Sequence, residues 1–418
     1  MSDKSKRIIE IASLPGNEKC ADCKGPNVEY ASHNLGVFLC TRCVAVHRQM
    51  GTHISQTKHL KHDRWTDDGQ LAFMAENGNT LVNAHYEQHV PDCYRRPDCL
   101  APNVLLEQFI RAKYERMEFV YPDRQVAYTT STKTGSLFKR GRDSSKFEIR
   151  TFVLSESQNV LSYHVKAGKD PKLTMMLNSL NVAFVPDKVG HPNGMQITYV
   201  SDGSIRHIYV YHNDGQTVVD WYNAIRNAKL NNLLVAFPGT SVAELRSGLT
   251  HDFALEGWLY KIGPRAGDQY RRRWFTLDGR KLMYHDGPLD PVPKGAIPIG
   301  DSSDYMVRLN VPPGSKDHGF SFTLRTPERT YLFSAQSDEE RRAWMGVLNG
   351  LLEQPRTPQD CALAACLRRK QSGSRRGLSR STADGLDTLA GRTASSATPD
   401  GRLSALGLSK SASDLSRT

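Results

Sequence analysis

Cys20, Cys23, Cys40 and Cys43 form two C-x2-C pairs with sixteen residues between them. Each pair can present two thiolates from one tight knuckle, and two knuckles together make the tetrahedral sulfur cage that suits zinc. Four thiolates leave no coordination position for water or substrate, so one Zn2+ ion held here is expected to be structural. His47, His53 and His59 lie close by in sequence. With the metal's sphere already complete, they are expected to pack or to hydrogen-bond. Cys93, Cys99, Cys361 and Cys366 lack a matching pair in a metal-site context and are read as free thiols.

Basic residues form the second chemical grouping. Lys139, Arg140, Arg142, Lys146 and Arg150 cluster in one stretch; Lys261, Arg265, Arg271, Arg272 and Arg273 cluster in another, with Tyr284 shortly after. Each cluster follows a Gly-x-Leu-x-Lys run. If these runs are strands, every second side chain shares a face, so Arg271 and Arg273 point towards one mouth. Converging cations and a tyrosine hydroxyl can grip several phosphates at once. The whole chain carries Lys+Arg 55 against Asp+Glu 44, a formal charge of +11, which also points to an anionic partner. No GxxxxGK[ST] loop is present, so the chain has no phosphate cradle of that kind for its own nucleotide.

The elements that must position these groups are visible as changes of pattern. Up to about Phe119 the chain is cysteine-rich and helical, and it ends in a helical stretch from Asn103 with Leu106, Phe109, Ile110, Tyr114 and Met117 at helical spacing. Asn103 is a plausible N-cap for it. Short β-prone runs follow at Phe147–Leu154, Val160–Val165, Gln196–Val200 and Ile208–Tyr211, closed by a helix over Thr217–Ala228. The same order returns with strands at Gly257–Tyr260, Arg273–Leu277, Leu282–Tyr284, Phe320–Arg325 and Thr330–Ala335 and a helix over Ser337–Leu352, a repeat of about 100 residues. The expected domains are 1–125, 130–232 and 252–355, then a basic Ser/Arg-rich tail over 356–418. The tail is too poor in apolar residues to fold and is expected to be disordered.

Arg48 stands five positions after Cys43, in Val44-Ala45-Val46-His47-Arg48, and Gly51-Thr52-His53-Ile54-Ser55 follows. By residue type alone it is either a solvated helix arginine or a phosphate-directed one. The full pattern, C-x2-C-x16-C-x2-C-x4-R with the trailing Gly-Thr-His-Ile-Ser, resembles the Arf GTPase-activating domain. So do Asn34-Leu35-Gly36-Val37-Phe38, Trp65 and Ile110-Arg111-Ala112-Lys113-Tyr114. The resemblance covers about the first 120 residues and implies that Arg48 is the catalytic arginine, supplied in trans to an Arf-family GTPase in its GTP form. Tyr30 stands where that family usually has tryptophan, and Met50 where it usually has leucine or isoleucine.

The two repeats resemble pleckstrin-homology (PH) domains, curved seven-stranded sheets capped by a C-terminal helix with a central tryptophan, here Trp221 and Trp344. The second repeat is similar to the K-x(n)-[KR]-x-R pattern of PH domains that read 3-phosphorylated inositides. In the first, Thr151 is read as replacing an expected basic residue after Arg150. The resemblance places lipid contacts on Lys139, Arg140, Lys146, Arg150, Lys261, Arg271, Arg273 and Tyr284. Finger, PH and PH in that order resemble the dual-PH Arf GTPase-activating proteins of the centaurin-alpha type: multidomain and α+β, with phosphoinositide membranes as the second partner.

Two other function classes fit some of these features. A lipid-dependent adaptor would keep the architecture without useful turnover. Nucleic-acid binding would use the finger and the charge, but no stacking-aromatic motif accompanies the finger, and no nucleic-acid partner is expected. The first ten residues lack the apolar run of a signal peptide, and no stretch of about 18 apolar residues occurs. The expected location is therefore cytoplasmic, with peripheral recruitment to plasma or endosomal membrane. Arg376 and Ser379 in the tail are read as a basophilic kinase site.

Overall fold

The computed structural model describes residues 3–356 apart from 167, 266 and 310–318, together with residue 365. The expected disorder of the tail, its kinase site, and Cys361 and Cys366 lie outside the described residues.

The N-terminal domain opens with α1 (Asp3–Ala12), whose Ile8, Ile11 and Ala12 bury against Trp65, Leu71 and Met74. A small sheet follows, β1 (Val28–Ser32), β2 (Val37–Cys40) and β3 (Thr57–His59), in the order β2-β1-β3. Helix α2 (Thr41–Met50) springs directly from β2. Gly36 turns the hairpin at φ +77°, where a Cβ would also strike the Asn77 side chain at 2.8 Å. Helices α3 (Asp68–Glu76), α4 (Gly78–Tyr86) and α5 (Asn103–Ile110) complete the domain, and Asp67 caps α3 through the Gly69 N–H.

The stretch expected as one helix from Asn103 runs differently. Its N-cap is Pro102, and Asn103 spends its Oδ1 on Arg42 of α2, accepting from Nε at 3.2 Å and Nη2 at 2.7 Å. After Ile110 the helix widens into a π-turn over Arg111–Glu115 and stops, with Met117 at φ +53°.

A short α6 (Val126–Thr129) leads into the first sheet domain. Its elements are β4 (Thr132–Arg140), β5 (Phe147–Ser155), β6 (Val160–His164), β7 (Leu173–Met176), β8 (Asn181–Phe184), α7 (Pro186–Val189), β9 (Met195–Ser201), β10 (Ser204–Tyr211), α8 (Gly215–Ala236) and α9 (Val242–Ser247). The second comprises β11 (Leu255–Ile262), β12 (Tyr270–Asp278), β13 (Lys281–His285), β14 (Gly295–Pro298), β15 (Met306–Leu309), β16 (Phe320–Arg325), β17 (Thr330–Ala335) and α10 (Asp338–Glu353). Both sheets are seven-stranded with the same topology, β7-β6-β5-β4-β10-β9-β8 and β14-β13-β12-β11-β17-β16-β15.

The repeated Gly-x-Leu-x-Lys run has a packing reason. Each glycine lies against the tryptophan of its capping helix: a Cβ on Gly135 would lie 3.3 Å from Trp221, a tight approach, whereas one on Gly257 would meet Trp344 at an ordinary contact of 3.8 Å. Asp214 and Ser337 start those helices by accepting from backbone N–H groups of the first turn.

The domains share their interiors. Leu105, Phe109, Phe119 and Tyr128 join one apolar cluster with Phe152, Trp221 and Tyr222, and buried Arg226 donates to the Cys93 carbonyl at 2.7 Å. Val189 and Tyr209 of the first sheet domain pack with Phe253 and Leu289 of the second.

Candidate functional site

The four cysteines of the knuckles converge. Their sulfurs all lie within 4.8 Å of one another, and Cys23 and Cys40 are 3.7 Å apart. A thiolate tetrahedron around zinc, with bonds of about 2.3 Å, has edges of about 3.8 Å, so the donor set fits such an ion. Cys20, Cys23 and Cys43 are buried among Val37, Leu39, Val44 and Ile110, so the cage forms part of the core. Cys40 is the N-cap residue of α2 and makes no capping hydrogen bond with its side chain. The cluster therefore grips the start of the helix that carries Arg48.

Arg48 lies exposed in the last turn of α2. Its guanidinium carbon stands 5.0 Å from the Tyr30 ring centroid, and Tyr30 in turn meets His59 edge-on at 4.8 Å. The residue that departs from the family's tryptophan thus still offers an aromatic face to the arginine.

Behind Arg48 runs a buried polar chain. His47 Nε2 is 3.1 Å from Asp22 Oδ2 and His47 Nδ1 is 2.8 Å from Ser55 Oγ, which reaches Ser32 Oγ at 2.8 Å. From the π-turn, Lys113 Nζ and Tyr114 OH each donate to Asp22 Oδ1 at 3.1 Å, and Lys113 also donates to Asn83 Oδ1 and pairs with Glu87. Burial pushes the Asp22 carboxyl up, but the Lys113 ammonium and the His47 ring more than offset this and hold it below the ordinary carboxylate range. His47 is thus a hydrogen-bonding core residue. His53 is exposed and His59 packs on Tyr30.

In the second sheet domain Lys261, Arg265, Arg271, Arg273 and Tyr284 line one open basin of about 450 Å³. Register explains the convergence, because Lys261 faces Arg271 across the β11–β12 ladder and Leu259 faces Arg273. Arg272 turns away and covers the Trp258 ring at 4.3 Å. Lys261 stands 5.0 Å from the Tyr284 ring. Burial, then the nearby Arg329 and Arg273 guanidiniums, push its ammonium down to about 8. Such a basin can hold a compact polyanion. The structure adds two residues missed in the sequence: Lys294, which lines the basin, and Asp286, which pairs with both Arg273 and Lys294. They sit on a loop whose fold-back is not encoded by local spacing.

The first sheet domain repeats the frame with different chemistry. Lys139 stands 5.0 Å from Tyr163, as Lys261 does from Tyr284. Opposite Lys139, however, is Glu148, and Glu148 forms an ion pair with Arg150. The ladder corrects the sequence alignment: Arg150 corresponds to Arg273, and the position that lost its basic residue is 148, not 151. Lys146 lies on the exposed hairpin loop. Lys139, Arg140 and Arg142 line a cleft of about 80 Å³ that Leu289, Pro291 and Val292 of the second sheet domain narrow, and Arg140 Nη1 donates to the Leu289 carbonyl at 3.2 Å.

Among the described residues, no helix is long and apolar enough to cross a membrane.

Comparison with known families matches residues 5–123 to ArfGap, described as "GTPase activating protein for Arf", and residues 131–230 and 253–353 to the PH domain. The chain is 40% identical over 364 residues to human Arf-GAP with dual PH domain-containing protein 2, covering 84% of this chain and 94% of that protein. The mouse protein of the same name is 39% identical over the same shares. The solution structure of the ArfGap domain of human RIP aligns at 23% identity over 30% of this chain and 92% of its own, with a TM-score of 0.26.

Proposed function

Because the chain belongs to the family of Arf GTPase-activating proteins with dual PH domains, we propose that it accelerates GTP hydrolysis on a GTP-bound Arf-family GTPase while its PH domains hold it at a phosphoinositide-bearing membrane. The observation that carries this reading is the exposure of Arg48 at the end of α2, with the start of that helix fixed by four converging sulfurs. Hydrolysis of GTP builds charge on the γ-phosphate and the bridging oxygen. A guanidinium offers permanent charge and forked donors there, and such an arginine supplied in trans is worth about 10³ to 10⁵ in rate. Nucleotide, Mg2+ and the water-orienting residue belong to the partner.

The metal in the cysteine cage is zinc in this reading, held by Cys20, Cys23, Cys40 and Cys43. Bound there, it supplies folding energy and no bond chemistry. The buried Asp22–Lys113–His47 chain braces α2 from behind, so that the arginine projects from a stiff element. Basic residues near an acidic leaflet contribute on the order of 1 kcal/mol each, and two tethered domains reinforce one another. The domains extend over 1–125, 130–232 and 252–355. The preferred headgroup is phosphatidylinositol 3,4,5-trisphosphate, taken in the second basin by Lys261, Arg271, Arg273 and Tyr284.

Single-turnover GTP hydrolysis by purified Arf proteins tests this, on vesicles with and without that lipid, comparing the native chain with Arg48→Lys. Lipid-enhanced hydrolysis that the variant loses is the expected result. Hydrolysis at the intrinsic rate with vesicle binding intact would instead favour an adaptor.

A further inference from the structure

The second basin is bordered by two carboxylates: Asp268 lines it and accepts from the Arg265 backbone N–H, and Asp286 stands at its rim against two of its cations. Asp286, at the start of the β13–β14 loop, forms ion pairs with Arg273 Nη1 at 3.0 Å and with Lys294 Nζ at 2.6 Å, and both cations line the basin. Its side chain keeps 51% of its exposure, so it stands at the rim. The hydrogen bond from Lys294, with the Arg273 and Arg271 charges around it, holds the carboxyl below its ordinary value, so it is ionised at neutral pH.

The loop that follows it is fixed by the neighbouring domain. Tyr209 OH donates to the carbonyls of Pro288 and Asp290 at 3.0 and 3.2 Å, the His207 N–H donates to the Pro291 carbonyl at 2.8 Å, and Arg140 donates to Leu289. Within the loop, Gly287 N–H donates to Asp290 Oδ2 at 2.9 Å. The carboxylate is therefore held beside the two cations before any ligand arrives, and a ligand can displace it by side-chain rotation alone.

We propose that Asp286 is a resident counter-anion that occupies the place between Arg273 and Lys294 which a ligand phosphate must take, and so sets how many phosphates a headgroup needs in order to bind. The inference rests on reading the basin as a phosphoinositide site. A headgroup with a single phosphate replaces one anion by another and gains little. One with three phosphates also engages Lys261, Arg271 and Arg265 and displaces the carboxylate at a net gain. Repulsion of the wrong ligand, as much as attraction of the right one, then supplies selectivity.

The test compares the full chain with Asp286→Asn, Asp286→Glu and Arg273→Ala. Binding is measured to vesicles carrying phosphatidylinositol 4-phosphate or phosphatidylinositol 3,4,5-trisphosphate, and to the corresponding soluble inositol phosphates. Asp286→Asn is expected to raise affinity for the monophosphate by about tenfold and for the trisphosphate by less than about threefold, while Asp286→Glu keeps the native ratio. An unchanged ratio, or weaker trisphosphate binding, overturns the inference by making Asp286 a residue that merely orients Arg273. A change seen on vesicles but not with soluble headgroups overturns it too, since the charge then acts on the membrane as a whole. The basin reading fails separately, if Arg273→Ala leaves trisphosphate binding as tight as in the native chain.

Discussion

Glu148 of the first sheet domain takes the register position that Arg271 takes in the second, each directly across the ladder from the lysine that ends the Gly-x-Leu-x-Lys run. The two domains share a frame, down to a lysine 5.0 Å from a tyrosine ring, and in each an acid pairs with the equivalent arginine, Glu148 with Arg150 and Asp286 with Arg273; the second mouth, however, has Arg271 where the first has that glutamate. Charge reversal at this one position should exchange their strengths. Arg271→Glu is expected to weaken trisphosphate-vesicle binding by about 2 kcal/mol, roughly thirtyfold, because two units of charge change near the leaflet. Glu148→Arg should strengthen it, by less, since Leu289, Pro291 and Val292 crowd the first cleft. Equal effects of opposite sign at both positions would show that only net charge matters.

Tyr30 supplies the face against which the Arg48 guanidinium rests, 5.0 Å away. An exposed contact of this kind is worth about 0.5 to 1 kcal/mol. Tyr30→Ala should therefore lower GTPase activation about two- to fivefold, through the arginine's freedom to wander, whereas Tyr30→Trp should match or exceed the native rate. The rate at saturating Arf protein is the quantity to measure. A Tyr30→Ala variant that activates normally would leave the ring as a packing element alone.

The cysteine cage lies inside the core formed by Val37, Leu39, Val44 and Ile110, so metal and fold are coupled. Structural zinc contributes about 10 to 16 kcal/mol in small finger peptides, on the scale of a whole domain's stability of about 5 to 15 kcal/mol. Stripping the metal with a chelator should unfold the N-terminal domain and abolish Arg48-dependent hydrolysis. The second basin, built on a separate apolar cluster around Phe275, Phe333 and Trp344, should still bind inositide vesicles. Circular dichroism and vesicle sedimentation on the same chelated sample read the two effects apart. Full activation by metal-free protein is incompatible with the proposed role of the cage.

Much of this arrangement was legible because it is local. Two cysteine knuckles, an arginine five residues on, and a tryptophan-centred helix repeated after the same strand order are patterns of spacing, and the structure bears out the seven-stranded, helix-capped sheets that the resemblance to PH domains implied. Short strands such as Leu173–Met176 and Met306–Leu309 were not visible, since four residues at a sheet edge carry too little alternation to stand out. Nor could sequence show that Asn103 serves Arg42 instead of capping a helix, or that Arg226 reaches the Cys93 carbonyl 133 positions away. Those partners are chosen by domain packing. The Glu148 substitution could have been found from sequence by aligning the strands that follow each hairpin, Phe147–Leu154 on Tyr270–Leu277, which share an arginine, a phenylalanine and a leucine at the same spacing; counting from the Gly-x-Leu-x-Lys runs fails because the first hairpin is one residue shorter.

The seam between the sheet domains contains two imidazoles, His207 and His285, with Nε2 atoms 3.2 Å apart. One nitrogen must donate and the other accept, so the docked pair has no room for a further proton between the rings. Burial pushes His285 down to about 4, aided by the nearby Lys188 ammonium, and burial together with His285 and Lys188 pushes His207 well below its ordinary value. Gln196 and Thr198 occupy the other side of His207, while Asp286 and Asp290 are the acidic groups acting on His285. Both rings are thus neutral when docked, and the separated or unfolded chain takes up protons that the docked one refuses. The sign follows: the seam's stability is complete above the free imidazole value near 6.5 and is lost as pH falls from there through about 4. For His285 alone the loss amounts to about 3 kcal/mol when fully expressed. The protection of the His207 amide, which donates to the Pro291 carbonyl across the seam, should fall on acidification over that interval when its hydrogen exchange is measured against the intrinsic rate at each pH. In a His207→Gln, His285→Gln double variant the pH dependence should flatten. An identical profile in native and variant chains would assign the acid response to some other group.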